Sequence, residues 1–427
     1  MTLRVCYVTM AFPTPYETFA ATDVRALQRA GVAVSVCSLR PGHADSAALM
    51  ERWGLGSVDA GHNGLASTVR GALYALRHPA RCAAFAAWLV RRMWRTPRFL
   101  LRALLLVPRC LDILAAVERN RPDVVHLFWG HYPAAVGFLV RRYCPKTVLS
   151  MFLGAYDLEW KFGMSGPVAS TADVVWTHAH ANVPAIAALG VARSRIDVAH
   201  RGIELERFAD QRRHKVAGRV ATAGRLHPDK AMGFVIEVFA GIARRRPDAS
   251  LVIVGDGPDR ARLEALAERL GVAHAVSFLG RVPHQTVLEQ MAAAELFVYM
   301  STDATDRLPN VVKEAVASHC VCVVSRTTGI DELIRDGIDG WVVEYGDVER
   351  AIERACSALD DRDRSAAMVA AANAHLRAEF DVDRSMRCYI DRWSDLLGLD
   401  RDHEIVGPGE PFALAGESGA HVRETGR

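Results

Sequence analysis

Short apolar runs alternate with amphipathic segments along most of the chain. In the first part, apolar runs at residues 3–10 and 32–39 enclose a helical segment at 22–30, which ends at Gly31. Buried strands joined by helices in this way are typical of a parallel, doubly wound sheet. The same pattern predicts strands at 123–128, 147–152, 173–178 and 196–200, with helices at 133–142 and 183–189.

A second alternating series begins at Val220. It predicts strands from there and at 251–255, 276–279, 296–300, 321–325 and 341–344, with helices between them and on to about residue 397. A chain of 427 residues is too long for one hydrophobic core. We therefore predict an α/β fold with two doubly wound domains at 1–203 and 204–380. We also predict a helix at 381–400 that packs back on the first domain and a disordered tail at 401–427.

The segment 65–121 interrupts this regular pattern. It contains eleven arginines against Asp112 and Glu118, together with Trp88, Trp94 and a Leu-rich run. Basic, aromatic helices of this kind can lie in a membrane interface, with their arginines toward anionic head groups. They can equally pack on the sheet and expose a basic face to solvent. Both interpretations stay open here, whereas nucleic acid is not expected because no recognised nucleic-acid motif accompanies the charge.

Composition adds few constraints. The apolar content of 50% suits a folded protein, and a formal net charge of +3 favours no particular partner. Nine cysteines are scattered without a Cys-x-x-Cys pair, so neither a disulfide framework nor a zinc knuckle is expected. We expect the first residues to form a buried strand rather than a signal peptide, and we find no apolar run long enough to span a membrane. We expect the protein in the cytoplasm, either free or peripheral on the inner face of the cell membrane through residues 65–121.

Residues 300–319 form a polar loop that runs into a short helix. Pro309 suits the first helical position, which makes Leu308 the cap residue. Leu308 has no side-chain acceptor for the first amides of the helix, so an anion such as phosphate can take them. Asp306 at the loop mouth and Glu314 inside the helix could hold sugar and ribose hydroxyls. Lys313 and Glu314 lie off the apolar stripe of this helix.

Two cations occur in the loop after the strand at Val220. Arg225 and Lys230 follow Gly224 closely, an arrangement suited to neutralising a diphosphate. Further on, Gly255 and Gly257 resemble half of a dinucleotide fingerprint, but Arg260 occupies the position of the third glycine. A nicotinamide oxidoreductase is therefore the weaker alternative.

The first half offers polar residues near predicted strand ends. Tyr16, Glu17 and Thr18 follow the first strand, at the edge of the sheet where ligands of such folds gather. His126 and His131 lie on either side of another strand end, where a base could stand. Turn, cap and core roles for these residues stay open as well.

The motifs of the second half resemble those of the large retaining glycosyltransferase family with the GT-B fold, family four. The resemblance is carried by five segments in the family's order: Gly224-Arg225-Leu226-x-Pro228-x-Lys230, Val254-Gly255-Asp256-Gly257-Pro258, Phe278-Leu279-Gly280-x-Val282-Pro283, Asp306 through Glu314 on the Glu-x7-Glu motif, and Thr328-Gly329-Ile330-x-Glu332-Leu333-Ile334. The first half is similar more loosely, at Glu17-Thr18-Phe19, at Pro122 to His126 and at Arg201-Gly202-Ile203-Glu204.

The resemblance implies a GT-B fold of two Rossmann-like domains facing a central cleft, with the acceptor domain first and the donor domain second. It implies a retaining, metal-independent hexosyltransferase without a cofactor, which uses a nucleotide diphosphate sugar. The acceptor would be a small molecule, a glycan or a lipid-linked precursor. Implied site residues are Arg225, Lys230 and Asp306 for catalysis, Gly224, Arg281, Val282, Leu308, Pro309, Asn310 and Glu314 for the donor, and Tyr16, Glu17, Thr18, His126, His131 and Asp157 on the acceptor side.

Two positions depart from the family pattern. Asp306 is one methylene shorter than the usual Glu, and Leu153-Gly154 stands where many relatives have His-Gly. Leucine cannot donate a hydrogen bond to a sugar. A nucleotide-sugar-binding protein with impaired catalysis is therefore kept as the alternative function.

Overall fold

The computed structural model describes residues 2–14, 19–209, 214–303 and 305–399. The predicted tail 401–427 and the candidates Tyr16, Glu17 and Thr18 lie outside these residues. The chain divides into two compact units. Unit 1 contains residues up to 177, residues 182–199 and residues 386–399, and unit 2 contains residues 178–181 and 200–385. The predicted boundary after Ile203 thus falls four residues inside unit 2.

Unit 1 is built on a seven-stranded parallel sheet. The register places Val5 beside Val34 on one side and Val124 on the other, and all three are buried, as expected for a sheet covered on both faces. The strands are β1 (Arg4–Thr9), β2 (Ala33–Ser38), β3 (Asp59–Gly61), β4 (Val124–Phe128), β5 (Val148–Phe152), β6 (Val174–Thr177) and β7 (Ile196–Val198), in the order β3-β2-β1-β4-β5-β6-β7.

The helices of unit 1 include four in the basic segment. Gly31, with φ 82°, ends the first helix in a left-handed turn. The helices are α1 (Phe19–Arg29), α2 (Ser46–Arg52), α3 (Leu65–Arg77), α4 (Pro79–Met93), α5 (Pro97–Leu105), α6 (Val107–Asn120), α7 (Pro133–Tyr143), α8 (Ala155–Trp160), α9 (Ser165–Ala169) and α10 (Val183–Ala188). Both α2 and the edge strand β3 were missed by the sequence prediction, because each is too short to show a periodic pattern.

The helix α6 packs deep in the core of unit 1. Cys110, Leu111, Ile113 and Leu114 are all buried there. A Cβ on Gly71 of α3 would lie 1.8 Å from the carbonyl oxygen of Pro108, so glycine allows α3 to approach α6 closely. The helices of this segment therefore do pack on the sheet, but several outer faces of α3, α4 and α5 stay exposed. Among the described residues, no helix has both the length and the apolar character needed to cross a membrane.

Unit 2 is built on a six-stranded parallel sheet. Val220 lies beside Leu251 on one side and Leu296 on the other. The strands are β8 (Arg219–Ala223), β9 (Ser250–Val254), β10 (Val276–Gly280), β11 (Leu296–Tyr299), β12 (Val321–Ser325) and β13 (Trp341–Val343), in the order β10-β9-β8-β11-β12-β13. The helices are α11 (Met232–Arg245), α12 (Arg260–Arg269), α13 (His284–Ala293), α14 (Asn310–Ala317), α15 (Val348–Asp360) and α16 (Arg362–Glu379). The predicted α/β fold class is confirmed.

The last helix, α17 (Val382–Leu397), follows a break at Phe380 and Asp381. From Met386 onward it lies in unit 1. Tyr389 stacks on Trp176 there with ring centroids 3.8 Å apart, and Trp393 lies 5.6 Å from His126. These aromatic contacts fix α17 on the sheet of unit 1.

Each sheet contains one point at which the strand order reverses. In unit 1 the reversal falls between β1 and β4, and in unit 2 it falls between β8 and β11. Ligands of parallel sheets bind at the carboxyl edge of such a reversal point, because the loops diverge there and leave a crevice. The loops at the two reversal points are therefore the places to examine for function.

Candidate active site

An ion pair joins the two loops at the reversal point of unit 2. Lys230, in the loop after β8, places Nζ 2.6 Å from Oδ2 of Asp306, in the loop after β11. The backbone N–H of Thr302 also donates to the carbonyl oxygen of Asp229, 3.0 Å away. Lys230 and Asp306 are 14% and 16% exposed, so the pair is sheltered but open to a ligand. The structure thus brings together two of the three predicted catalytic residues.

Two further hydroxyl groups hold the Asp306 carboxylate. The Ser301 hydroxyl donates to Oδ2 over 2.7 Å, and the Tyr299 phenol donates to the same oxygen. Burial, and after it the Asp306 charge, raises the pKa of Tyr299 well above its ordinary value, so this phenol stays protonated and donates. Sequence reasoning missed both residues. The position of Ser301 just past a strand end was the available signal, whereas Tyr299 reads only as part of a buried strand.

A second carboxylate, Asp303, lies 3.7 Å from the Lys230 ammonium. Burial opposes its ionisation, but hydrogen bonds from the hydroxyl and backbone N–H of Thr305, together with the Lys230 charge, outweigh burial and lower the pKa of Asp303. Lys230 therefore contacts two carboxylates, those of Asp303 and Asp306. Such a lysine is oriented in advance and can exchange one anionic partner for another.

The loop after β8 is packed tightly against the loop after β9. A Cβ on Gly255 would lie 1.9 Å from the carbonyl oxygen of Gly224, and a Cβ on Gly257 would lie 2.2 Å from that of Leu226. These glycines therefore allow the two loops to pack closely. Close packing explains why glycine stands at positions 255 and 257 without a dinucleotide-binding role. The Arg225 side chain, by contrast, is 72% exposed. Within the described residues its guanidinium forms one ion pair, with Asp229 at 3.7 Å.

The helix α14 begins one residue later than predicted. Pro309 is its cap residue rather than its first helical residue, because its ψ of 128° is extended although its φ of −64° suits a helix. Leu308 is buried and does not cap. The proline side chain offers no hydrogen-bond acceptor, so Pro309 does not cap the first amides of α14. The expectation that these amides lack a side-chain cap is therefore unchanged. An anion can bind the first amides of this helix.

Lys313 departs most from its prediction. It was placed off the apolar stripe of α14, yet it is only 1% exposed. Its ammonium donates to the carbonyl oxygen of Arg201 at 2.7 Å and to Oδ1 of Asn310 at 3.1 Å, and it lies 5.3 Å from the Phe380 ring. Hydrogen bonds and the aromatic face explain how this cation is buried. Its role is to fix the helix that carries Glu314.

Glu314 lies beside the predicted base-binding segment. Its Oε1 is 3.0 Å from Nε2 of His284, the first residue of α13. Arg281 is exposed and Val282 is half-buried just before that helix. The carboxylate is 18% exposed on this side, so it remains within reach of a ligand. His284 had no sequence signal, because the contact depends on how α13 and α14 pack.

A cavity of about 590 Å³ adjoins the same loops. It lies at the carboxyl ends of β11, β12 and β13. Residues from the loops after these strands line it: Ser301, Thr302, Asp303, Arg326, Thr327, Thr328, Gly329, Asp331 and Tyr345. Arg326 is held by Glu344 and Asp331, so its charge is balanced by its own loops. This cavity shares the wall 301–303 with the Lys230 and Asp306 pair and was not predicted.

The candidates of unit 1 lie in a different environment. His126 does not reach the sheet edge: it is buried in the middle of β4, with Nδ1 2.9 Å from the Ser150 hydroxyl oxygen. His131 does lie past the end of β4, with Nδ1 3.3 Å from Oδ1 of Asp157. Asp157 is itself buried and accepts from the Gly154 N–H at 3.1 Å, at the start of α8. The structure brings His131 and Asp157 together and leaves His126 in the core.

Close packing also explains Leu153. Leu153 is fully buried in the core of unit 1, and a Cβ on Gly130 would lie 2.2 Å from its Cδ2 atom. Trp129, next to Gly130, has a φ of 86°, which is rare for a bulky residue and is typical of strained functional loops. The residue at the family's His position is therefore a packing residue here.

One group of side chains in unit 2 has the composition of a metal site. Ligand atoms of His180, His200 and Glu332 all lie within 4.8 Å of one another. The Glu332 carboxylate already accepts from the backbone N–H groups of His180 and Ala181, at 2.7 and 2.9 Å, and lies 3.0 Å from Nε2 of His200. Burial opposes its ionisation, but these contacts outweigh it and lower the pKa of Glu332. Its oxygens are thus satisfied by the protein.

Part of unit 2 matches a known protein family. Residues 206–375 match the family model described as glycosyl transferases group 1. The match covers 170 of the 427 residues. This matched stretch, the group 1 segment, contains Arg225, Lys230, Asp306 and Glu314, so the loops that meet at the reversal point of unit 2 lie within it.

Two curated relatives are similar over part of the chain. A GDP-mannose-dependent monoacylated alpha-(1-6)-phosphatidylinositol monomannoside mannosyltransferase of Corynebacterium glutamicum is 34% identical over 166 residues, which are 38% of this chain and 43% of that protein. An N-acetyl-alpha-D-glucosaminyl L-malate synthase of Bacillus anthracis is 29% identical over 171 residues, or 40% of this chain and 44% of that protein. The match thus spans less than half the length of each relative.

Similarity of structure extends over both units. The crystal structure of HepE from Anabaena in complex with UDP covers 92% of this chain and 100% of its own, with a TM-score of 0.68 and 16% identity. At this identity the likeness concerns the fold alone. The chain has the GT-B fold, with two Rossmann-like domains, as the motifs implied.

Proposed function

We propose that this protein transfers a sugar from a nucleoside diphosphate sugar to an acceptor hydroxyl, with retention at the anomeric carbon. The observation that carries the proposal is the Lys230 and Asp306 ion pair at the reversal point of unit 2, inside the group 1 segment. A UDP complex of HepE and the GDP-mannose dependence in the name of the C. glutamicum relative support a nucleoside diphosphate donor.

The main barrier to this reaction is the charge that develops on the leaving diphosphate. Lys230, Arg225 and the first amides of α14 are the groups that we assign to it, since preorganised donors contribute most where charge develops. Lys230 would then exchange Asp306 for a phosphate oxygen. Asp306 would keep the donors Tyr299 and Ser301 after that exchange, so its carboxylate would stay in place near the sugar.

The other donor contacts follow from the same loops. Glu314 would accept from the ribose hydroxyls, and the backbone of Arg281 and Val282 would bind the base. The acceptor would attack on the face that the diphosphate leaves, and a phosphate oxygen would take its proton. No protein nucleophile, cofactor or metal enters this proposal.

The acceptor is proposed with less detail. The C. glutamicum relative is named for a phosphatidylinositol mannoside acceptor, so we propose a lipid-linked or other glycoconjugate precursor. The cytoplasmic location stays a prediction.

A donor-binding experiment followed by a transfer assay tests the proposal. Thermal melting with UDP, GDP, ADP and their sugars should raise the midpoint for one base, because a ligand of the native state stabilises it by mass action. The protein should then consume the matching sugar nucleotide and release the diphosphate. If no nucleoside diphosphate or sugar nucleotide shifts the midpoint or is consumed, the proposal is wrong.

The alternative is a protein that binds the sugar nucleotide without turning it over. It is favoured by two observations: Leu153 is a packing residue, and Asp306 is shorter than the family's Glu. A raised melting midpoint with neither hydrolysis nor transfer, tested with glycan and lipid-linked acceptors, would establish this alternative.

A further inference from the structure

The exposed side of α4 and α5 combines apolar and basic side chains. We call it the basic corner and define it as residues 90–105, the last turn of α4, the short link and all of α5. Trp94, Leu101 and Leu105 are 61%, 61% and 72% exposed. Large apolar side chains grouped in this way on a surface mark a site of interaction rather than ordinary surface.

The arginines of the basic segment fall into two classes. Arg70 and Arg109 pair with Asp112 at 2.7 Å each, and Arg81 pairs with Glu118 at 2.6 Å. Those two carboxylates are the only acidic residues between Leu65 and Arg121. Arg70, Arg81 and Arg109 therefore pair with both acidic residues of this segment.

Four arginines of the basic corner differ from these. Arg91, Arg92, Arg95 and Arg98 are exposed, and within the described ranges none of them forms an ion pair with a carboxylate. Arg95 lies over the Trp94 ring at 4.9 Å. On α5, Leu101 and Leu105 are one turn apart with Arg98 and Arg102 beside them, so one helix face presents apolar groups flanked by cations.

We propose that the basic corner binds the surface of an anionic lipid membrane. Trp94, Leu101 and Leu105 would enter the head-group boundary, and the arginines would extend to lipid phosphates with their aliphatic stems along the apolar layer. The chemistry selects this partner over two others. A nucleic acid would use the cations but not the exposed leucines, and a second copy of this chain would bring like charges together.

A row of exposed apolar residues on α3 extends the same kind of surface. Leu65, Val69, Leu73 and Leu76 are spaced four, four and three residues apart and are all exposed. This spacing places them on one face of the helix, opposite Ser67, Gly71 and Tyr74, which are buried. The inference concerns unit 1 only, so it stands whether or not unit 2 transfers a sugar.

Vesicle binding by the full chain tests the proposal. Sedimentation with vesicles of phosphatidylcholine containing phosphatidylglycerol should carry the protein down at low salt, and vesicles of phosphatidylcholine alone should not. Binding should weaken as salt rises, because the lipid charge is screened. Each arginine near such a surface contributes about fivefold to partitioning, so R91Q/R92Q/R95Q/R98Q should bind roughly several hundredfold more weakly.

A matched control separates local from overall charge. R244Q/R269Q/R362Q/R377Q removes four exposed arginines of unit 2 and should reduce binding much less. W94S/L101S/L105S should also lose binding while keeping its net charge, and its melting curve should be unchanged because these side chains are exposed.

Three outcomes would overturn the proposal. They are no sedimentation with anionic vesicles at low salt, equal losses in the two arginine variants, and full binding by W94S/L101S/L105S. Tighter binding to single-stranded DNA than to vesicles, insensitive to the apolar variant, would identify a nucleic-acid surface instead.

Discussion

The two sheets reverse their strand order in the same way, yet the loops at the two reversal points differ in chemistry. In unit 2, Lys230 and Asp306 meet directly, and hydroxyl groups support the carboxylate. In unit 1, the loop after β4 carries Trp129 and His131, and the carboxylate that contacts His131 in the described residues, Asp157, is buried at the start of a helix.

If the proposed function is right, this difference reflects what the donor and the acceptor each require. A diphosphate is small and highly charged, so fixed cations and amides at a few positions suffice to bind it. An acceptor that is recognised by shape and by aromatic surface leaves no comparable pattern of charge.

The largest expected effect is on turnover in unit 2. Lys230→Ala should lower turnover by about two orders of magnitude or more, because it removes a preorganised cation from the leaving diphosphate. Steady-state kinetics with the identified sugar nucleotide measures it, and Arg244→Ala, an exposed arginine of the same unit, is the control. Turnover near that of the unaltered protein would mean that the ion pair is structural, and the comparison between the units would fail.

The corresponding substitution in unit 1 should act on stability. Asp157→Ala removes the carboxylate that accepts from Gly154 and should lower the free energy of unfolding by about 1–2 kcal/mol. Urea unfolding measures this change. Unaltered stability together with a large loss of turnover would show that unit 1 also carries charge chemistry at its reversal point.

A smaller change in donor affinity is expected at Glu314. Glu314→Gln keeps the shape but replaces a charged hydrogen bond to ribose with a neutral one, which is about half as strong. The dissociation constant of the nucleoside diphosphate should rise about tenfold, near 1.4 kcal/mol. Calorimetric titration measures it, with the exposed Glu289→Gln on α13 as control. Equal affinities in the two variants would remove Glu314 from the donor site.

The effect expected to be smallest near neutral pH is a dependence of stability on pH. Burial, followed by the charges of Arg201 and Lys313, lowers the pKa of His178 well below its ordinary value of 6.5. The folded state thus keeps His178 neutral while the unfolded state takes up a proton below pH 6.5. Stability should fall as pH decreases from 6.5 toward 5, by up to about 1.4 kcal/mol per pH unit.

Urea unfolding of His178→Gln across this range provides the check. Its slope against pH should be smaller than that of the unaltered protein, whereas the exposed His274→Gln should keep the full slope. A slope that is the same in His178→Gln and the unaltered protein would assign the pH dependence to other groups.

The sequence predicted the fold well because each strand is a buried apolar run bounded by turns. It predicted Lys230 and Asp306 as site residues because they lie in motifs. It could not predict that Tyr299 and Ser301 donate to Asp306, since those contacts arise when adjacent strands bring their ends together. Lys313 was misplaced because a lysine in a helix normally faces solvent, and its partners Arg201 and Phe380 are distant in sequence.

The burial of Lys313 limits how the donor region of this protein can be exchanged. Its partners Arg201 and Phe380 both lie outside residues 206–375, the segment that matches the family. A chimera joined at the ends of that segment would separate Lys313 from these partners. The lysine would then pack against residues of the other protein in place of Arg201 and Phe380. Donor regions of relatives should therefore be transplanted with their flanks, from residue 200 to residue 381, so that the cation and its partners move as one.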